Sequence, residues 1–197
     1  AQGLPCSLYT DRGSHYFHTP EAGGKVDKAR LTQLGRALAQ LGIEHIPAYS
    51  PEARGRSERL FGTLQGRLVR ELADAGITDM AAANRYLKEV YIPAHNKRFA
   101  VPPEEPESAF VPLADPAMLA DILCHQEERV VGRDNTVRFA GLVLQIPESP
   151  GRRHFVKARM RVHRYPDGAL AIFHGPRPIA RYDAIGRLIE EKRKRAA

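Results

Sequence analysis

Two carboxylates stand out by type and setting. The first is Asp11 in YTDRGSHYF, residues 9–17, where an acid ends a short apolar run and is followed at once by Arg-Gly-Ser-His. The second is Glu58 in AYSPEARGRSERLFGTLQGRL, residues 48–68, just inside a segment with helical periodicity. Carboxylate oxygens are the hard donors that Mg²⁺ or Mn²⁺ prefers. A pair of such ions about 3.5–4 Å apart can activate an attacking oxygen and stabilise a leaving one in phosphodiester chemistry. Each acid also has a plainer reading. An Asp after a strand often caps the helix that follows, and a Glu in a first turn is favoured by the helix dipole.

The elements around these acids decide between the readings. Ser7–Tyr9 reads as a buried strand ending at Asp11, followed by a loop through Gly23 and Gly24, residues that weaken a helix interior. From Asp27 the spacing of Leu31, Leu34, Leu38 and Leu41 predicts a helix, with Gly42 as its C-cap. Ile43–Tyr49 is short and bounded, as a strand is, and Ser50-Pro51 opens a helix. At 100° per residue Leu60, Phe61, Leu64, Leu68 and Leu72 share one face of that helix, and Arg56, Arg59, Arg67 and Arg70 fall roughly opposite. Glu58 lies at the rim of the apolar stripe, where it can point to the C-terminal edge of an adjacent sheet. The arginines face outward, open to phosphates or simply to solvent. A further helix is predicted over 80–91, capped by Thr78 or Asp79 and ended or kinked by Pro93.

After that the texture changes. Residues 99–116 carry Pro102, Pro103, Pro106, Pro112 and Pro116, which favour an extended connector. Beyond it the period moves toward two. In residues 156–163 Val156, Ala158, Met160 and Val162 alternate with Lys157, Arg159, Arg161 and His163. This predicts a half-buried strand whose basic outer face, roughly 13 Å from Lys157 to Arg161, can follow a phosphate backbone or serve as a solubilising surface. Glu128–Val131, Thr136–Phe139, Leu142–Ile146 and Ala169–Phe173 read as further strands, with turns at Asp134-Asn135 and at Pro166-Asp167-Gly168. Five or so short strands predict a small barrel. A short helical stretch and the basic run EEKRKRAA close the chain.

Composition narrows the partners. The 197 residues are 43% hydrophobic and 27% charged, which supports packed cores rather than disorder. No apolar run reaches 18 residues, so no membrane span is expected, and the first residues lack the pattern of a signal peptide. Cys6 and Cys124 lie far apart, without zinc or disulfide spacing, which suits a reduced cytoplasm. A net charge of +7 and a pI near 9.6 favour polyanionic partners.

YTDRGSHYF together with SPEARGRSERLFGTLQ resembles the second half of the catalytic core of DDE transposases and retroviral-type integrases, above all bacterial insertion-sequence transposases. YIPAHNKRFAVPPEEPESAF resembles the helix and tail that follow that core. The resemblance implies α/β plus all-β architecture: a partial RNase H-like catalytic core over residues 1–98, a Pro-rich linker over 99–117, a small SH3-like β-barrel that binds DNA over 118–185, and a basic tail over 186–197. It makes Asp11 the second catalytic Asp and Glu58 the catalytic Glu, 47 residues apart, both ligands of a two-metal Mg²⁺ or Mn²⁺ site. A water would cut the strand, and the freed 3′-OH would attack target DNA. Arg12, Arg56, Arg59, Arg67, Arg70, Lys157, Arg159 and Arg161 become the DNA-binding candidates. Partners would be double-stranded transposon ends and target DNA, bound by a homo-oligomer in the bacterial cytoplasm at the nucleoid, with no membrane involved.

One departure matters. The family carries an earlier Asp on its first core strand, and none of the ten residues before Asp11 is acidic. The expectation is therefore a C-terminal portion of a transposase lacking that first Asp and inactive alone. The alternative is a non-catalytic DNA-binding remnant or regulator derived from a transposase. An RNA-binding barrel is disfavoured, because Phe139, Phe155, Tyr165 and Phe173 are scattered rather than paired for stacking.

Overall fold

Residues Ser7–Thr10 (β1) and Glu44–Pro47 (β2) form a parallel two-stranded sheet in the register Ser7↔Glu44 to Thr10↔Pro47 in the computed structural model of the protein. The structure describes residues 3–21, 23–50, 52, 55–148 and 153–189, with Arg56 described in its backbone only; of the basic tail predicted over 186–197, residues 190–197 lie outside them, and 186–189 are a turn and a short strand rather than tail. The chain divides into two compact units, one of Ala1–Arg30 with Ile43–Val111 and one of Leu31–Gly42 with Pro112–Ala197.

In the first unit β1 is not the buried strand its sequence predicts: Tyr9 is 49% exposed. Among the described residues these two strands of four have no third strand beside them, too small a sheet to bury both faces. Gly55–Asp74 (α2) is a helix of 20 residues. The start of its leucine stripe is uncovered, with Leu60 46% and Phe61 59% exposed, while Leu64, Leu68 and Leu72 are half-buried. The helix predicted over 80–91 is Met80–Tyr86 (α3), capped by the Asp79 carboxylate, which accepts the Ala82 N–H at 2.8 Å. Pro93 does not end it. The chain passes through a π-helical turn, Leu87–Tyr91, into Ile92–Phe99 (α4), with the proline in the first turn of α4. Widening the ladder by one residue just before the proline accommodates its ring and its missing N–H, and helical continuity survives. The segment from 100 to 110 is irregular and exposed, then pins back onto the start of the chain, where Leu4 and Val111 exchange backbone hydrogen bonds of 2.7 and 2.8 Å.

The second unit contains the leucine-spaced helix, Gln33–Gln40 (α1), which starts later than Asp27 because Thr32 is its cap and accepts the Gly35 N–H at 3.1 Å. Asp27 instead pairs with His18 in an isolated bridge of the first unit. After the one-turn Met118–Ile122 (α5) come His125–Val130 (β3), Thr136–Phe139 (β4), Leu142–Gln145 (β5), Arg159–Arg164 (β6), Leu170–His174 (β7), Arg177–Tyr182 (β8) and Leu188–Ile189 (β9). Gln33 locks α1 to β3: its side-chain amide donates to the Gln126 carbonyl at 2.7 Å and accepts the Gln126 N–H at 3.0 Å.

These strands do not close into a barrel. They form an antiparallel sheet in the order β3-β6-β7-β8-β9 and a separate β4–β5 hairpin. A barrel needs its first and last strands to pair, and here β9 has only two residues while β3 pairs with β6 alone. The core lies between hairpin and sheet. Val137 and Leu144 of the hairpin cluster with Met160, Val162, Ile172 and Tyr182 of the sheet, and the Tyr182 hydroxyl donates to the Gln145 carbonyl at 2.7 Å. The closing helical stretch is also corrected: β8, a turn with Gly186 at φ +83°, and β9 occupy its place.

Candidate functional site

Asp11 follows β1 directly. The parallel ladder runs on to its neighbour, for the Ala48 N–H donates to the Thr10 carbonyl at 2.8 Å. The Thr10 hydroxyl lies 2.8 Å from His45 Nε2, and the His45 ring stacks on Phe17 with centroids 4.0 Å apart. Burial holds the His45 imidazole below its ordinary pKa and therefore neutral at pH 7. The Asp11 side chain is fixed by its own loop: Oδ1 accepts the Gly13 N–H at 2.8 Å, while the Gly13 carbonyl accepts the Tyr16 and Phe17 N–H groups. A Cβ at position 13 would sit 2.9 Å from that carboxylate oxygen, so the glycine is what lets the loop close on the acid.

Arg12 is employed within this loop. Its Nη1 donates to the carbonyls of Gly23 and Gly24, at 3.3 and 2.6 Å, and its guanidinium lies over the Tyr49 ring at 4.8 Å. It braces the glycine loop that follows the acid. Glu58 stands in the first turn of α2, exposed, beside Arg59, whose Nε donates to the Gly55 carbonyl at 3.1 Å. Arg70 is exposed on the same helix, and Arg67 lies over Phe99 at 5.2 Å. Among the described residues no three His, Cys, Asp or Glu side chains are gathered to hold a metal ion. Asp11 and Glu58 are donors of the right hardness, but two carboxylates alone do not make the shared site that two-metal chemistry requires.

The predicted basic row on the second unit is broken. Lys157 is in a turn with φ 62°, its N–H donating to the Val131 carbonyl at 3.0 Å, and β6 begins only at Arg159. Arg161 is half-buried and donates to the Gly175 carbonyl at 2.8 Å, and His163, next on that face, is buried. Arg159 remains exposed, beside a cleft of about 290 Å³ shared with Glu128 and Arg129. A second basic cluster was not legible in the sequence: Arg129, Arg133 and Arg138 surround a cavity of about 480 Å³ with Asp134 and Thr136. Arg129 is ion-paired with Glu127 and lies over Phe139 at 5.5 Å, whereas Arg133 and Arg138 are exposed. The Thr136 hydroxyl donates to Asp134 and holds that carboxyl below its usual pKa. No periodicity links 129, 133 and 138; the corner between β3 and β4 brings them together.

No protein-family model matches the chain. Two curated proteins do. A protein of Sinorhizobium fredii (strain NBRC 101917 / NGR234) named "Putative transposase y4bF" is 35% identical over 173 residues, which are 87% of this chain and 37% of that protein. The transposase for insertion sequence IS1202 of Streptococcus pneumoniae is 32% identical over 156 residues, 79% of this chain and 33% of the relative. The chain thus spans about a third of the length of the relatives it matches. No helix among the described residues is long and apolar enough to cross a membrane. Both relatives are named transposases and the similarity extends over 87% and 79% of this chain, which supports placing it in a transposase family.

Proposed function

We propose that the chain is part of a DDE-type DNA recombinase with an RNase H-like core, and that Asp11 and Glu58 are two of its three catalytic carboxylates. The observation that carries this reading is the placement of Asp11: at the end of a strand paired in parallel, with its carboxylate oriented by the Gly13 N–H in a loop braced by Arg12. Ligands of open parallel sheets collect at that edge. The reaction would be metal-dependent strand cleavage followed by strand transfer, with Mg²⁺ or Mn²⁺ shared among the carboxylates, on double-stranded transposon ends and target DNA and in an oligomer. The described residues hold no complete ligand group for such an ion. The third carboxylate is assigned to a residue outside these 197, and the chain alone is inactive in cleavage. Arg133 and Arg138, with Arg159, are the candidate phosphate contacts of the second unit, and Arg59, Arg67 and Arg70 those of α2.

A second reading, a DNA-binding product without catalysis, draws on the exposure of Glu58 and of the apolar stripe beside it. One experiment separates the two. The chain, extended upstream to supply the missing first core strand, is assayed for Mg²⁺- or Mn²⁺-dependent nicking of end-bearing duplex, beside otherwise identical Asp11→Asn and Glu58→Gln proteins. Nicking by the parent and by neither variant supports the catalytic reading. Equal nicking by all three places the activity elsewhere, and DNA binding without nicking by any of them favours the second reading.

A further inference from the structure

Within the first unit two guanidinium groups meet at one aromatic ring. Arg67 of α2 places its guanidinium carbon 5.2 Å from the centre of the Phe99 ring, and Arg98 of α4 places its own at 5.3 Å. Attraction to the ring face steadies both cations but does not neutralise them. Neither makes an ion pair among the described residues. Glu71, one turn along α2 from Arg67, is the partner that helical spacing offers, yet it accepts the Tyr86 hydroxyl, at 3.4 Å.

The ring stack continues inward. His95 lies 4.7 Å from Phe99 and 5.7 Å from Tyr91, nearly parallel to the latter at 23°. Tyr91 is 4% exposed, and its hydroxyl is buried without a hydrogen-bond partner. A buried, unpartnered hydroxyl is rare enough to call for a reason. Tyr91 closes the π-helical turn, a feature frequent at functional sites. Arg67, Glu71, Tyr91, His95, Arg98 and Phe99 line one cleft of about 100 Å³. A single water needs only about 10–15 Å³ of such space, so the cleft has room for a tetrahedral oxyanion.

We propose that this cleft is a phosphate site. The forks of Arg67 and Arg98 would supply charge and paired donors, with His95 and the Tyr91 hydroxyl donating from the inner end once the side chains part to admit the anion. The ligand is a phosphate group, either of a duplex backbone or free in solution. Only the choice of the first source rests on the DNA-acting function proposed above.

The test uses the whole chain with Tyr91→Phe, Arg98→Gln and, as a control that removes a charge from exposed Arg85 of α3, Arg85→Gln. Melting is compared in inorganic phosphate and in sodium chloride of equal ionic strength. The wild type and Arg85→Gln should melt higher in phosphate, while Tyr91→Phe and Arg98→Gln lose that increment. In chloride Tyr91→Phe should melt no lower than the wild type, because it gives up no hydrogen bond. Full retention of the increment by both variants overturns the proposal, as does its absence from the wild type. A second arm measures the slope of log affinity for a duplex against log salt. A slope reduced by about 0.9 in Arg98→Gln, and unchanged in Arg85→Gln, identifies a backbone phosphate. An unchanged slope with the increment lost identifies free phosphate. If the wild type keeps the increment but binds no duplex, the DNA reading fails and the phosphate site stands.

Discussion

Gly13→Ala isolates how the acid is held. Gly13 does not lie in the left-handed region, so alanine suits its backbone, and the difficulty is one of contact. The new Cβ would lie 2.9 Å from Asp11 Oδ1 and 2.9 Å from His15 Cε1. The exposed His15 ring can swing aside at little cost. The Asp11 carboxylate cannot, because the oxygen that is struck is the one that accepts the Gly13 N–H at 2.8 Å. Relief means giving up that bond or leaving the rotamer. A hydrogen bond to a charged group contributes about 1.5–3 kcal/mol and an off-rotamer side chain costs about 0.5–1.5 kcal/mol. Asp11 is only half-buried, and water takes up part of the loss, so about 1–2 kcal/mol of local stability should go. Removing the carboxylate first should abolish the penalty. A double-mutant cycle of Gly13→Ala with Asp11→Ala, followed by urea unfolding and by hydrogen exchange at the Tyr16 and Phe17 amides, should give a coupling of about 1–2 kcal/mol. A coupling within the 0.3–0.5 kcal/mol or so scatter of independent sites would refute the idea that this glycine exists to seat this acid. Asp11→Asn, which keeps an acceptor oxygen, should leave the loop intact, so that any loss of nicking in an extended chain is charge rather than structure.

Two further outcomes follow from the second unit. His163 is 3% exposed, and burial pushes its imidazole down to about 4, partly opposed by Asp121 and reinforced by Arg161, Arg36 and Arg181. A base with a depressed pKa is protonated in the unfolded chain first, so stability is full above the ordinary value near 6.5 and is lost as pH falls from there toward 4. The loss should reach about 2 kcal/mol between pH 7.5 and pH 5 in urea unfolding of this unit; a His163→Phe protein should lack this component, and an equal pH dependence in that protein would exclude His163 as its source. Replacing Arg133 and Arg138 together by Ala should weaken duplex binding at all sequences and lower the salt slope by about 1–2, whereas Lys157→Ala should change it little; the reverse ranking would restore the row read from the sequence.

What was legible divides along the range of the interaction that decides. Short-range chemistry was read well. Asp134-Asn135 is a turn with Asn135 at φ 57°, Thr136–Phe139 is a strand with the predicted bounds, and Asp79 caps its helix through the Ala82 N–H. Each depends on residues within a few positions of one another. The misreadings arise where a distant partner decides. Lys157 alternates correctly with its neighbours, but its N–H is claimed by Val131 and the strand starts two residues later. Arg161 keeps the expected alternation and spends a donor on Gly175. The β8–β9 hairpin was hidden because Pro178 and the exposed ends of short strands erase the period-two pattern that would announce them.

The same distinction separates the two acids. Asp11 is specified locally: strand end, Gly13 N–H and the loop that Arg12 braces are all in or beside YTDRG, or fastened to it by the β2 ladder. Glu58 is specified by a surface. A helix of 20 residues is about 30 Å long, while each strand of the β1–β2 pair is about 13 Å. A sheet of that size cannot cover the leucine stripe of α2, and Leu60 and Phe61 are accordingly exposed. The position of Glu58 at the rim of the stripe is therefore exact in sequence and unanchored in space. Whatever buries Leu60 and Phe61 would also set the direction of Glu58, because a residue two positions before Leu60 and three before Phe61 turns with them. The catalytic assignment thus stands on different ground at its two ends, on a built loop at Asp11 and on a helix face awaiting its cover at Glu58. That is why the Gln substitution at position 58 is informative only in an extended chain, whereas the Gly13 cycle is informative in this one.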